Sequence, residues 1–127
     1  MPHWNLVAGW TGMVLGLIAG AVIGLFIHQE SFAGGYGSYR RRMMRLGHVA
    51  FFALGIINVL FALTLSTTEV VLSYPRLASS SLIVGAALMP VVCYLAAWKT
   101  PFRHAFALPV VCVAITLVLM LQGVVML

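Results

Sequence analysis

The sequence predicts an all-α membrane protein built as a bundle of four transmembrane helices. Of its 127 residues, 63% are hydrophobic and only 7% are charged, and the mean hydropathy is +1.11. Since soluble domains carry about 25% charged residues, this chain has too little polar surface for a water-soluble fold. Four apolar stretches approach the roughly 20 residues that a helix needs to cross a bilayer. They cover residues 6–27, 46–65, 78–98 and 105–127.

These stretches are expected to be helical because lipid offers the backbone no hydrogen-bond partners, and a helix satisfies its own peptide groups. Four short helices can bury only one shared interior, so residues 1–127 are predicted to form a single domain. The connection from Lys99 to Arg103 is very short. The third and fourth helices must therefore be antiparallel neighbours.

The first predicted helix carries a regular glycine pattern. Glycine occurs at every fourth position, at Gly12, Gly16, Gly20 and Gly24. Glycine at this spacing forms a groove that lets another helix backbone approach closely. The pattern predicts a helix-packing face, and it leaves open whether the partner helix belongs to this chain or to a second copy.

Two polar residues are predicted to lie deep in the second and fourth helices. Asn58 lies 13 residues after Arg45, and Thr116 lies 13 residues after Arg103. At 1.5 Å per residue, both fall near the middle of the bilayer. We interpret them as hydrogen-bonding groups that join helices 2 and 4, worth roughly 0.6–2 kcal/mol. A substrate site is the alternative interpretation.

The basic residues predict the orientation of the chain. Six of the seven Lys and Arg residues lie in the first and third connections. Because cytoplasmic loops are enriched in Lys and Arg, both termini are predicted to lie on the non-cytoplasmic side. We expect a multi-pass protein of the cell inner membrane that contacts anionic lipid, and the charge of +5 gives little reason to expect nucleic-acid binding.

Three histidines are predicted to converge on the cytoplasmic side and to form a candidate cofactor site. His28 ends the first helix, His48 lies in the first turns of the second, and His104 begins the fourth. Two facing histidines are able to hold a b-type haem. Four arginines are candidate partners of the haem propionates, because guanidinium matches carboxylate geometry: Arg41, Arg42, Arg45 and Arg103.

A metal site at the same place is the alternative to haem. Copper or zinc would take His28, His48 and His104, with Met44 or Cys93 as additional ligands. Met44 precedes His48 by four residues, so the two share a helix face. A third possibility is that no cofactor binds, since histidines and methionines near headgroups are often plain interfacial or core residues.

The sequence indicates no catalytic set, although it leaves open whether the protein is an enzyme. Its only two carboxylates, Glu30 and Glu69, are predicted to lie on opposite sides of the membrane. Paired acid–base catalysis is therefore excluded. The chain has no Asp for a Ser-His-Asp triad, and it has no phosphate-binding glycine loop.

The expected function is that of a small accessory subunit of a larger membrane complex. Haem or a metal at the three histidines would add a role in electron transfer. The partners would be membrane lipids and either other membrane subunits or copies of the same chain. The alternative is a homo-oligomeric small channel or transporter that assembles through the glycine pattern of the first helix.

Overall fold

A computed structural model describes residues 2–127, and within this range the chain is helical and has no strand. The long helices are α1 (Pro2–Phe26), α2 (Tyr39–Thr67), α3 (Pro75–Trp98) and α4 (Ala107–Val125). Two short 3₁₀ segments cover Phe32–Gly34 and Thr100–Phe106. The predicted all-α chain with four helices long and apolar enough to cross a membrane is confirmed.

The helix boundaries differ from the apolar stretches, because hydropathy marks the part of a helix that suits lipid and not its ends. The second helix begins at Tyr39, and the Ser38 hydroxyl caps it by accepting from the Arg41 amide at 3.1 Å. The arginine run therefore lies inside α2. The third helix begins at Pro75, a position that suits proline because the first-turn N–H has no helical partner.

The four helices form an open bundle with α2 and α3 at its centre. Helix α1 packs mainly on α2 and more lightly on α3, α4 packs on α3, and α1 and α4 share no extensive interface. In the apolar windows of α2 and α3, 33% and 39% of residues are buried, against 17% in both flanking helices. The flanking helices therefore turn most of their apolar surface outward.

The hydrophobic core lies at the end of the bundle where α2 connects to α3. Phe61, Ala78 and Leu82 form it together with Val70 and Leu72 from the connection, and all five are buried. The connection therefore folds back over the helices. The glycine Gly123 of α4 leaves room for this segment, since a Cβ there would lie 2.9 Å from Leu72.

The alternating helix directions place residues 27–38 and 99–106 at the same end of the bundle, which we call the basic end. Arg40 at the start of α2 donates from Nε to the carbonyl of Ala97 near the end of α3, at 3.0 Å. Six of the seven Lys and Arg residues lie at this end. Only Arg76 lies at the opposite end.

Candidate functional site

The glycine face of α1 packs against α2 of the same chain. At Gly9, a Cβ would lie 2.6 Å from the Gly55 carbonyl oxygen, and at Gly55 it would lie 2.8 Å from the Gly9 carbonyl oxygen. A Cβ at Gly12 would lie 3.3 Å from the Phe51 carbonyl oxygen. The two backbones are therefore in direct contact. The fourfold spacing starting at Gly12 did not reveal Gly9 or Gly55.

The same face continues along α1 toward the basic end and then stops. A Cβ at Gly16 would lie 2.9 Å from the ring of Phe52, and one at Gly20 would collide with the imidazole of His48. No atom lies within 4 Å of a Cβ built at Gly24. Helix α2 thus fills the predicted packing face except at Gly24.

His48 packs between α1 and α2, and one of its ring nitrogens forms a hydrogen bond to α1. Its Nδ1 lies 2.8 Å from the carbonyl oxygen of Gly16, so Nδ1–H donates to that carbonyl. Its ring meets Phe52 edge to face, with 5.5 Å between centroids. This bond selects the tautomer that leaves Nε2 as an acceptor or ligand.

The other two histidines lie in the connections at the basic end. His28 follows α1 and is exposed, and its carbonyl accepts from the Tyr36 hydroxyl at 2.7 Å. His104 is exposed in the 3₁₀ segment before α4. Neither side chain shares the α1–α2 contact in which His48 is held, so the structure does not bring the three imidazoles into one buried site.

The additional metal ligands suggested by the sequence also lie apart. Cys93 is buried where α3 meets Gly47 of α2, and Met44 is half-buried beside Arg40 and Trp98. Within residues 2–127, no three His, Cys, Asp or Glu side chains are grouped in a way that suits a metal ion. Haem or metal binding at His48 stays a prediction.

Arg41 organises the first connection from inside. Its side chain is only 2% exposed, although the sequence suggested a propionate partner at the surface. Its guanidinium donates to the carbonyls of Ile27 at 2.8 Å and of Phe32 at 2.7 Å, and also to those of Gln29 and Glu30. The guanidinium thus caps the C-terminal end of α1, where a positive charge is favourable.

The remaining predicted propionate partners are at the surface. Arg42 and Arg45 project from the first turns of α2, and Arg103 lies in the 3₁₀ segment before α4. All three are exposed and thus accessible to anionic groups at the basic end.

A buried polar cluster joins three helices near the opposite end. Asn5 of α1 donates from Nδ2 to Oδ1 of Asn58 in α2 at 2.8 Å. The hydroxyl of Ser79 in α3 donates to Oδ1 of Asn5 at 2.5 Å. All three side chains are at most 2% exposed. Asn58 is thus an inter-helical residue, as expected, but its partner is on α1 and not on α4.

Thr116 performs the equivalent role for α4. Its hydroxyl donates to the carbonyl of Ala78 in α3 at 2.8 Å. Both Asn58 and Thr116 are therefore level with the first turns of α3, and their depth in a bilayer stays a prediction. Asn5 and Ser79 were missed because each belongs to a helix start, where polar residues are common for other reasons.

Comparison of the chain with protein-family models, with curated proteins and with solved structures finds no match.

Proposed function

We propose that this chain is a multi-pass membrane protein that serves as an accessory subunit of a larger membrane complex. The observation that carries the proposal is the open packing of the flanking helices, each of which has only 17% of its apolar window buried. Here both helices keep long apolar faces for lipid or for helices of other proteins.

The use of the interior supports the same proposal. Four buried polar side chains form hydrogen bonds between the helices of this chain: Asn5, Asn58, Ser79 and Thr116. The buried Arg41 bonds to the backbone of the first connection, between α1 and α2. These groups stabilise one rigid arrangement of helices, which is what a scaffold for neighbouring subunits requires.

The glycine face does not favour the homo-oligomeric alternative. That hypothesis needs the face to meet a second copy, whereas α2 fills it from Gly9 to Gly20. We therefore propose partners of a different kind, namely transmembrane helices of other subunits that contact α1 or α4.

Crosslinking in native membranes tests the subunit proposal. A photoreactive amino acid is placed at Leu17 of α1 and at Leu121 of α4, which are 65% and 63% exposed. Val84 of α3, exposed on a central helix, is the control position. We expect one protein to crosslink at Leu17 or Leu121 and to co-purify in stoichiometric amount in mild detergent. Adducts with lipid alone, together with a chain that purifies without a partner, would contradict the proposal.

The redox part of the expected function has a separate test. His48 supports it, because its ring is oriented by the Gly16 carbonyl and its Nε2 has no hydrogen-bond partner within residues 2–127. An oxidised-minus-reduced absorption spectrum of the purified complex would show a Soret band if haem is bound. Loss of that band in His48→Ala, but not in His28→Ala or His104→Ala, would assign the ligand to His48.

We also propose that the basic end faces the cytoplasm of a cell with an inner membrane. The support is the clustering of six of the seven Lys and Arg residues at that end. Both termini then lie on the non-cytoplasmic side.

A further inference from the structure

An apolar slot opens between the start of α2 and the end of α3 at the basic end. It has a volume of about 210 Å³ and is lined by Arg40, Met44, Tyr94, Ala97 and Trp98. We propose that this slot, which we call the basic slot, binds an anionic phospholipid, with its phosphate at Arg40 and the start of an acyl chain beside Met44 and Tyr94. The proposal rests on the membrane insertion put forward above.

Both walls of the basic slot, on α2 and on α3, change from polar to apolar from the basic end toward the middle of the bundle. On α2, Arg40 is followed one turn deeper by Met44, and on α3 the interfacial residue Trp98 is preceded one turn deeper by Tyr94. Tryptophan is enriched at the level of lipid headgroups. The slot therefore presents a cation at headgroup level and an apolar channel beneath it, which is the order of groups in a phospholipid.

Arg40 is held in place for an anion. Its Nε donates to the Ala97 carbonyl at 3.0 Å, which fixes the guanidinium at the mouth of the slot. Within residues 2–127 its Nη groups have no hydrogen-bond partner, so they remain free to bind a phosphate in the forked geometry that guanidinium favours. The ammonium of Lys99 lies 4.9 Å from the ring centroid of Trp98 and adds a second positive charge.

Tyr94 supplies an independent observation. Its hydroxyl is the one buried side-chain N or O atom in the described part of the chain without a hydrogen-bond partner. A buried donor without an acceptor is unfavourable, and a bound water, ion or other molecule is one way in which such a group is satisfied. The hydroxyl is enclosed, so the Tyr94 ring would have to turn toward the slot before an ester oxygen at the start of the acyl chain could accept from it.

Charge complementarity selects an anionic lipid over a zwitterionic one. The basic end carries six Lys and Arg residues, and Glu30 is its only carboxylate. Basic pockets between transmembrane helices on the cytoplasmic side bind anionic headgroups.

Native mass spectrometry of the delipidated protein in mild detergent tests the proposal. The probes are phosphatidylglycerol, phosphatidylcholine with the same acyl chains, and inorganic phosphate. We expect phosphatidylglycerol to bind in preference to phosphatidylcholine, and phosphate alone not to bind detectably. Arg40→Gln should weaken phosphatidylglycerol binding by about fivefold, the effect of one basic residue near an anionic surface.

Arg42→Gln is the matched control. It removes the same charge two residues after Arg40, and Arg42 is exposed and does not line the slot. It should weaken phosphatidylglycerol binding clearly less than Arg40→Gln does, because Arg42 contributes only to the general positive charge of the basic end. Met44→Trp fills the slot and keeps every charge, so it should abolish the preference for phosphatidylglycerol over phosphatidylcholine. This variant tests the proposal even if Arg40→Gln fails to fold. Equal losses in the two arginine variants, or full binding by Met44→Trp, would overturn the proposal.

An alkaline wash of the membranes separates the two proposals. A chain that stays in the membrane but binds both lipids equally would refute the basic slot alone. A chain that washes off would refute membrane insertion and the slot together.

Discussion

The buried polar residues connect neighbouring helices through side-chain hydrogen bonds. Asn5 is the centre of the cluster, since its carbonyl oxygen accepts from Ser79 and its amide donates to Asn58. In an apolar surrounding, a polar group without a partner costs more than a satisfied one contributes. The cluster therefore fixes the relative positions of α1, α2 and α3 at one end of the bundle.

Removal of Asn5 should be destabilising because it leaves two buried partners unsatisfied. We expect Asn5→Leu to lower the free energy of unfolding by about 1–2 kcal/mol. Detergent-induced unfolding followed by tryptophan fluorescence measures this change. Thr67→Val is the control, because Thr67 is exposed and bonds only to Leu63 of its own helix. An Asn5→Leu variant as stable as the control would show that the cluster is energetically neutral.

Arginines that are adjacent in sequence have different roles in the structure. Arg41 points into the first connection, with its guanidinium 4.6 Å from the ring centroid of Tyr36, whereas Arg42 remains exposed. Arg40 bonds to α3. The sequence shows three equivalent cations, because the difference depends on how residues 27–38 fold back over the start of α2. Composition predicted the charge of this end but not which side chain would be buried.

At the scale of whole elements, glycine determines how closely α1 and α2 approach. The contact of Gly9 with Gly55 lets the two backbones touch, and this brings many weak dispersion contacts into range. In the membrane setting proposed above, the hydrophobic effect adds little between two helices that are both in lipid. Shape, more than apolar area, therefore holds α1 to the bundle.

Two glycine variants in α1 should behave in opposite ways. At Gly9, the added Cβ of Gly9→Ala would meet backbone of α2 at 2.6 Å, so the helices must separate, and we expect a loss of about 1–3 kcal/mol. Gly24→Ala has open space around the new methyl group, so it should leave stability unchanged or raise it by up to about 1 kcal/mol. The same unfolding assay checks both, and equal effects would refute a tight α1–α2 contact.

The number of helices was predictable because lipid permits few ways to satisfy a backbone, and each apolar stretch gave one helix. The helix partners were less predictable. The fourfold glycine pattern in α1 identified a packing face but not α2 as its partner, and Asn58 was assigned to α4 when Asn5 is its partner. Both partners depend on which outer helix packs beside α2, and hydropathy does not indicate which helices are neighbours. The three histidines were grouped by depth alone, which ignores that His48 faces α1.

At the scale of the whole molecule, the two ends of the bundle differ in charge and in packing. One end holds six Lys and Arg residues, the basic slot and the ordered first connection, while the other end holds the polar cluster and the main hydrophobic core. A protein so divided has one preferred orientation in a membrane with a potential and an anionic inner leaflet.

That orientation is tested with single cysteines in the two connections that lie at opposite ends. Ser31 in the first connection and Ser73 in the second are both exposed. With a membrane-impermeant maleimide and intact cells, Ser73→Cys should be labelled at once, whereas Ser31→Cys should be labelled only after the membrane is permeabilised. The native Cys93 and Cys112 lie within α3 and α4 and should give a low background in both cases.

Labelling of Ser31→Cys in intact cells, with protection of Ser73→Cys, would place the basic end outside. The positive charge would then have to face a partner subunit instead of the cytoplasmic leaflet, because positive loops are otherwise retained on the inner side.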